Sequence, residues 1–471
     1  MFINKFGTAY ACDTLFLNFM SMKRMKIWIL VCALLAKNIS EAQTIRKMTL
    51  KDCMEYAISN STQMRLQQAD RDDERIARRD AILSAFTPSI QGSTYAYNYY
   101  GRNIDPETNV YVNTTSFNNG YSLSGGIMLF NGFQAINNLK ISKTMMEMGL
   151  SKDQQAKDGI CLTTMEAFYN AVYYAEMVKT MQIQVEAVEK SLALAQKQES
   201  LGQKGHADVV QMEADLADRR FQLIDMQNLY NDAMISLKDV MFWPVDEDFE
   251  IDCAVEDEQV LESDDDNPNS IISFAKASNV DALIAKGTMD RSKLEWRTAK
   301  WQLLPSLSLN GGWSTSYYTY PNQPDYVSAP FFDQLRNNSG EYLQLSLNIP
   351  IFDRLSAHSN IARRKNEFRR AEAEYNQTMK NIENEVYRAI QDKNGAWAAL
   401  LQADQLEKVQ EEAFALNAKR LEQGLISSIE YQTASAKYLE AKANRLYALL
   451  KYYMKCSVVK YYKGVSYVEQ F

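Results

Sequence analysis

The chain is written twice. Ala85-Phe86-Thr87-Pro88-Ser89-Ile90 returns as Gln302-Leu303-Leu304-Pro305-Ser306-Leu307, and Met128-Leu129-Phe130-Asn131-Gly132 returns as Pro350-Ile351-Phe352-Asp353-Arg354. Leu201-Gly202 followed by Asp208 returns as Gln423-Gly424 followed by Glu430. The last two correspondences share one offset of about 222 residues, far beyond a solenoid unit and close to half of the 471 residues. Each half is therefore one copy of a large unit, in the order helix, proline, strands, long helix, glycine turn, helix. The copies make two halves of one body rather than the separate domains that length alone would allow.

The strands set the strongest constraint. Pro88 and Pro305 cannot continue a helix and suit the first residue of a strand. Beyond Pro88 the period becomes two: Tyr95, Tyr97 and Tyr99 share one side, and Tyr121, Leu123, Gly125, Ile127 and Leu129 alternate with Ser122, Ser124, Gly126 and Met128. Beyond Pro305, Leu307, Leu309, Gly311 and Trp313 alternate with Ser306, Ser308, Asn310 and Gly312. Leu343, Leu345, Leu347 and Ile349 alternate with Tyr342, Gln344, Ser346 and Asn348. This predicts hairpins within 88–130 and 305–352, built from strands of about nine to twelve residues, with Gly101 to Gly120 as a long polar loop. One apolar face, one small polar face and aromatics near strand ends are the pattern of outer-membrane strands. A soluble sandwich also alternates, but two hairpins separated by a long helical stretch make a poor one. Four strands fall short of the eight or so that the smallest barrels need, and lipid does not tolerate open strand edges. Several chains must pool their hairpins.

Between the hairpins the period is helical. Thr49 and Asp52 form a capping box that opens a polar helix running to about Ala85. From 135 to 201 there is no proline and only Gly149 and Gly159, so one helix there would span about 100 Å. In the second copy Tyr375, Met379, Ile382, Val386 and Ala389 step as a heptad seam, which resumes at Ala399, Ala403, Leu406, Val409, Ala413 and Leu416. Both long helices break at a glycine, Gly202 or Gly424, and resume at an acid, Asp208 or Glu430, where the helix dipole favours negative charge. The acidic run from Asp246 to Asp266, bordered by Pro244 and Pro268, reads as a solvated linker or small side domain; it lacks EF-hand spacing for calcium.

Composition excludes several classes. A net charge of -8 leaves no basic footprint for nucleic acid. Lys23, Arg24 and Lys26 precede the apolar run Ile27 to Ala36, and Ser40-Glu41-Ala42 offers a cleavage site, so residues 1–42 read as a secretion signal with a misassigned start upstream of Met22. That run is too short for a membrane span, and Cys32 within it is poorly placed for lipid attachment. Cys53, Cys161, Cys253 and Cys456 are scattered and read as isolated thiols. The two histidines, His206 and His358, lack metal-ligand spacing, and no nucleophile elbow, P-loop or dinucleotide glycine pattern is present. No catalytic, cofactor-binding or metal residue is therefore expected. The basic cluster Arg363, Arg364, Lys365, Arg369 and Arg370 reads as a solvated helix face.

Signal segment, duplication, proline-started hairpins and glycine-to-acid helical turns together resemble the TolC-type outer-membrane efflux proteins over roughly residues 49–462. The resemblance implies an α+β membrane protein: a homotrimer with a 12-stranded β-barrel, four strands per chain, continued by an α-helical coiled-coil barrel. The first repeat would occupy 43–240, an acidic linker or equatorial segment 241–268, the second repeat 269–462 and a tail 463–471. The implied function is an outer-membrane duct that reaches into the periplasm and exports passively in a tripartite efflux or type I secretion system. Its partners would be a periplasmic adaptor, an inner-membrane transporter and outer-membrane lipids. Carried over by position, Gly202 and Gly424, Leu425, Ile426 and Ser427 fall on the adaptor-docking turns, while Asp208 and Glu430 fall on the periplasmic aperture. The chain departs from the family pattern at Ile426, where an arginine lock is expected, and at Thr433, where a second acid is expected; Lys204 in the first turn is the available basic substitute. Asp208 and Glu430 fit two roles equally, as plain helix caps or as members of an acidic ring that selects cations. The rival reading is a coiled-coil surface or structural protein without a pore, which the alternating strands after Pro88 and Pro305 oppose. A stand-alone porin would have no use for two long helical hairpins.

Overall fold

The computed structural model describes residues 46–104, 109–253, 266–323 and 327–471; the expected signal segment and the acidic stretch 254–265 lie outside them. After a short strand β1 (Arg46–Met48), Thr49 caps helix α1 (Leu50–Asn60). The Thr49 hydroxyl accepts from the Asp52 N–H at 3.2 Å while Asp52 accepts from the Thr49 N–H at 3.0 Å. The single helix expected up to Ala85 is two. Ser61 leaves helical geometry (φ -58°, ψ 133°) and accepts from the Gln63 N–H at 3.1 Å, which starts α2 (Thr62–Phe86). The second copy repeats this joint. Asn279 separates α5 (Pro268–Ser278) from α6 (Val280–Trp301) and accepts from the Asp281 N–H at 2.8 Å.

Each short helix pair leads through its proline into the sheet. β2 (Ser89–Ile104), β3 (Tyr111–Asn131), β5 (Ser306–Thr319) and β6 (Gly340–Asn348) form one antiparallel four-stranded sheet in the order β2-β3-β5-β6. The count matches the sequence, but the first hairpin is longer than expected, with strands of 16 and 21 residues. Much of the expected loop from Gly101 to Gly120 is strand, for example at Arg102↔Asn113 and Tyr99↔Ser116. Pairs such as Arg102↔Asn113 and Gly101↔Thr114 interrupt any hydrophobic period there, so the pairing that the backbone ladder holds is not betrayed by alternation. A short helix between β5 and β6, α7 (Phe331–Asn337), falls outside the expected elements; Gln334 accepts from the Tyr318 N–H at 3.0 Å and fastens it to β5.

From the sheet each copy turns into a helix of 67 residues, α3 (Gln134–Ser200) and α8 (Ser356–Glu422), each about 100 Å long. The repeated Phe-Asn-Gly and Phe-Asp-Arg sequences build the corner. Asn131 accepts from the Ala135 N–H at 3.1 Å and Asp353 from the Ala357 N–H at 2.6 Å. The backbone is left-handed at Gly132 and Phe133 (φ 62° and 64°) and again at Arg354 and Leu355 (φ 58° and 65°). The return helices are α4 (His206–Met241) and α9 (Ser428–Tyr462).

The largest core lies at the waist, where Leu50, Cys53, Met54, Ile160, Phe168, Leu237 and Met241 pack together with Phe249 and Ile251 of β4 (Phe249–Ile251). Part of the acidic run is thus built into the body: β4 pairs in parallel with β1. Asp266, at its far end, pairs with Lys393 of α8 and, at 2.7 Å, with Lys463 after α9. The four described cysteines are unpaired. Burial pushes the Cys53 and Cys161 thiols up to about 12.

The second-copy seam holds in part. Ile382, Val386 and Ala389 are buried against α5 and Val459 of α9. Further along, Ala396, Leu400 and Ala403 face Leu449 and Tyr452 of α9, whereas Leu406, Val409 and Leu416 of the expected seam are exposed. A helix of this length carries two apolar stripes, and sequence spacing does not say which one the same chain covers.

Candidate channel wall and helical tips

The register assigns the two faces of the sheet. Leu123 pairs with Trp313, Ile127 with Leu309, Leu309 with Leu345 and Leu307 with Leu347, so these side chains share one face. Leu343 and Leu345 on that face are 79% and 63% exposed, the arrangement of a lipid-facing strand. The opposite face is polar. Ser93 pairs with Ser122, their hydroxyls 2.7 Å apart, and Ser122 pairs with Ser314. Tyr95, Tyr97 and Tyr99 lie on this polar face opposite Gly120, Asn118 and Ser116. Their common side was legible in the sequence, but which face they share is decided only by pairing. Among the described residues no helix is long and apolar enough to cross a membrane.

The far ends of the helices hold the predicted turn residues. Gly202 and Gly424 are left-handed (φ 72° and 70°) and close matching turns. The Gly202 and Gly424 N–H groups donate to Glu199 and Leu421 at 2.8 and 2.9 Å, and the Gln203 and Leu425 N–H groups to Gln198 and Arg420 at 2.9 and 2.8 Å. Only a residue without Cβ takes that backbone geometry without strain. Glu430 completes a capping box: the Ser427 N–H donates to its carboxylate at 2.9 Å, and the Ser427 hydroxyl accepts from the Glu430 N–H at 3.3 Å. Asp208 sits exposed in the first turn of α4 behind Gly205, which offers no side-chain cap. Capping thus accounts for Glu430 in one chain, and the helix dipole favours Asp208.

Around these turns Leu201, Leu425 and Ile429 project into solvent, 62–65% exposed. Ile426 is half-buried and supplies no cation. Lys204 approaches the Met212 sulfur at 4.0 Å, and His206 contacts Glu199 at 2.8 Å across the first turn. The two hairpins reach the same end of the molecule: Leu421 packs on the α3–α4 cluster of Val188, Leu192, Val209 and Met212, and the Ser435 hydroxyl donates to Gln184 at 3.3 Å. Of the basic cluster, Arg364 is held by Glu295 and Glu367 at 3.1 and 2.7 Å. No group of side chains among the described residues is arranged to bind a metal ion. Sequence reasoning missed the Asp266 clamp, because a single acid inside an acidic run carries no distinguishing signal.

A lipid-type sheet face set on two helical hairpins about 100 Å tall defines an outer-membrane channel fold. The chain matches the family model for "Outer membrane efflux protein" over residues 54–241 and 272–455, one stretch in each repeat, and it belongs to that family. It is similar in structure to the outer membrane protein VceC of Vibrio cholerae, with TM-score 0.69 and 13% identity over 88% of this chain and 96% of that one. The CmeC outer membrane channel of Campylobacter jejuni gives TM-score 0.70 and 15% identity over 89% and 85%. The open state of the MtrE outer membrane channel of Neisseria gonorrhoeae gives 0.68 and 14% over 88% of each chain. No sequence among the curated proteins matches this chain. The protein is an efflux channel of the outer membrane, and it is not an enzyme.

Proposed function

We propose that three copies pool their sheets into a 12-stranded barrel and serve as the exit duct of a tripartite efflux or type I secretion system, exporting passively once a periplasmic adaptor and an inner-membrane transporter have docked. The observation that carries this reading is the pair of free strands, β2 and β6, at the edges of a sheet with a lipid-type face. Each edge exposes unpaired backbone groups that hydrocarbon cannot satisfy, and a neighbouring copy supplies the missing ladder. The exposed apolar stripe of Leu406, Val409 and Leu416 supports the same assembly in the helical part.

In this reading Gly202, Gly424, Leu425, Ile426 and Ser427 form the adaptor-docking tips, and Leu425 offers the protruding apolar contact. Asp208 and Glu430, repeated threefold, form acidic rings at the periplasmic aperture; without an arginine at Ile426, closure rests on helix packing, with Lys204 of the first turn as the available basic partner. Light scattering of the detergent-purified protein is expected to give a trimer, and a folded monomer would refute the pooled barrel. Glu430→Gln keeps a carbonyl oxygen for the capping box while removing the charge. Combined with Asp208→Asn it is therefore expected to lower cation selectivity in planar bilayers without unfolding the tip. Unchanged selectivity would return both residues to capping alone.

A further inference from the structure

The polar face of the sheet has two properties that the proposed duct does not by itself require. First, it carries no formal charge. Its described strand positions run Gln91, Ser93, Tyr95, Tyr97 and Tyr99 on β2, with serine, asparagine, glycine and one methionine opposite them on β3 from 116 to 128. Ser308, Asn310, Ser314, Ser316 and Tyr318 follow on β5, then Tyr342, Gln344, Ser346 and Asn348 on β6. Arg102 and Glu341, the charged residues of these four strands, fall on the other face by register. Second, glycines on this face are covered by side chains of the neighbouring strand. The Tyr95 ring lies over Gly120 and the Asn310 amide over Gly126, while a Cβ at Gly312 would fall 2.7 Å from the Tyr342 ring. A ring whose far end fills the space of a missing Cβ leans across the neighbouring strand and lies along the wall. Tyr95 and Tyr97 extend this paving, with ring centroids 5.8 Å apart and planes 26° apart. A groove of about 610 Å³ runs along the same face near the helices, bordered by Gln91, Ser124, Asn310, Tyr342 and Gln344.

We infer that the barrel section is a charge-free sleeve paved with tyrosine rings, which passes planar aromatic cargo by transient stacking on Tyr95 and Tyr342 and exerts no selection by charge. This rests on the reading of the polar face as the wall of the duct. Aromatic pairs prefer offset stacking, and one such contact prolongs residence by about two- to tenfold. That is weak enough for cargo to leave, as conduction requires. Hydroxyl and amide groups between the rings keep water at the wall, so charged and neutral solutes of equal size meet the same barrier. Selection by charge is then confined to the helical tips.

The test uses the full chain in outer-membrane vesicles, with thiol labelling read above the background of the parent protein. Ser122→Cys, on the polar face, is expected to react with charged, membrane-impermeant thiol reagents, at equal rates for cationic and anionic forms of matched size once each is normalised to its rate with free 2-mercaptoethanol. Leu123→Cys, one residue away on the apolar face, is expected not to react. N-acetyltryptophanamide at millimolar concentration is expected to slow Ser122→Cys labelling about twofold or more, glucose is expected to leave it unchanged, and Tyr95→Ala with Tyr342→Ala is expected to abolish the protection. With each rate normalised to that of the same reagent with free 2-mercaptoethanol, a several-fold difference between the two reagent charges overturns the charge-free sleeve, and protection that persists without the tyrosines overturns the stacking. Labelling of Leu123→Cys in place of Ser122→Cys reverses the faces and overturns the inference. Equal labelling at both positions means that the strands do not stand in a membrane, and then the proposed function itself falls.

Discussion

Asp266→Asn tests whether the waist of the molecule is clamped by one buried charge. The Asp266 and Lys393 side chains are only 3% and 7% exposed, and Lys463 adds a second ammonium at 2.7 Å, its side chain 33% exposed. Burial acts to raise the Asp266 carboxyl, but hydrogen bonds from Lys393 and then Lys463 outweigh it and hold the group below its ordinary value. The amide variant keeps the shape and removes the charge, leaving Lys393 buried without a counterion. Stranding a buried charge in this way costs about 3–5 kcal/mol, whereas the half-exposed Lys463 contact adds at most about 1 kcal/mol. Because the folded-state pKa is depressed, the contribution is complete above the ordinary carboxylate value near 4 and is lost as pH falls through the lower folded value. Chemical denaturation in detergent, followed by circular dichroism, should therefore show a large loss at pH 7 that shrinks below about pH 4. Adding Lys393→Met should recover most of it, since a buried pair replaced by apolar groups is close to neutral. A loss under about 1 kcal/mol at pH 7, or no recovery in the double variant, would refute the clamp.

Three further outcomes are expected. Arg354 is left-handed (φ 58°) where the first copy has Gly132, so Arg354→Gly should stabilise the second corner by about 1 kcal/mol in the same denaturation assay. The Cys53 thiol, fully buried and pushed up to about 12, should resist maleimide at pH 8 in the native protein and react once unfolded, as mass spectrometry would show. Leu345→Lys places a charge on the lipid-type face and should cost about 2–4 kcal/mol near the bilayer centre, seen as protein lost from the outer-membrane fraction, whereas Ser346→Lys on the polar face should insert normally.

Much of the architecture was legible because it follows from periodicity and turn chemistry. The offset of about 222 residues reappears as two helices of equal length, 67 residues each, and as two corners with the same left-handed pair. Thr49 and Asp52, and the glycines at 202 and 424, were readable because each satisfies its own backbone within a few residues. Even so, a local signal did not show that Ser61 would interrupt the first helix, since its serine suits a helix start and a solvated helix alike.

What the sequence determined by itself was the repeated order of proline-started strands, long helices and glycine turns, and the count of four strands in the main sheet. What only the tertiary structure decided was partnership. Alternation said that Tyr95, Tyr97 and Tyr99 share a side, but the register with Gly120, Asn118 and Ser116 put that side with the serines. Heptad spacing found Ala403, which packs inward, together with Leu406, Val409 and Leu416, which are exposed, while packing added Ala396 and Leu400 to the inner seam. The physical reason is the same in each case. Period is a property of one segment and its neighbours in sequence, whereas the face a residue turns to, and the charge that meets Asp266, depend on chain more than a hundred residues away.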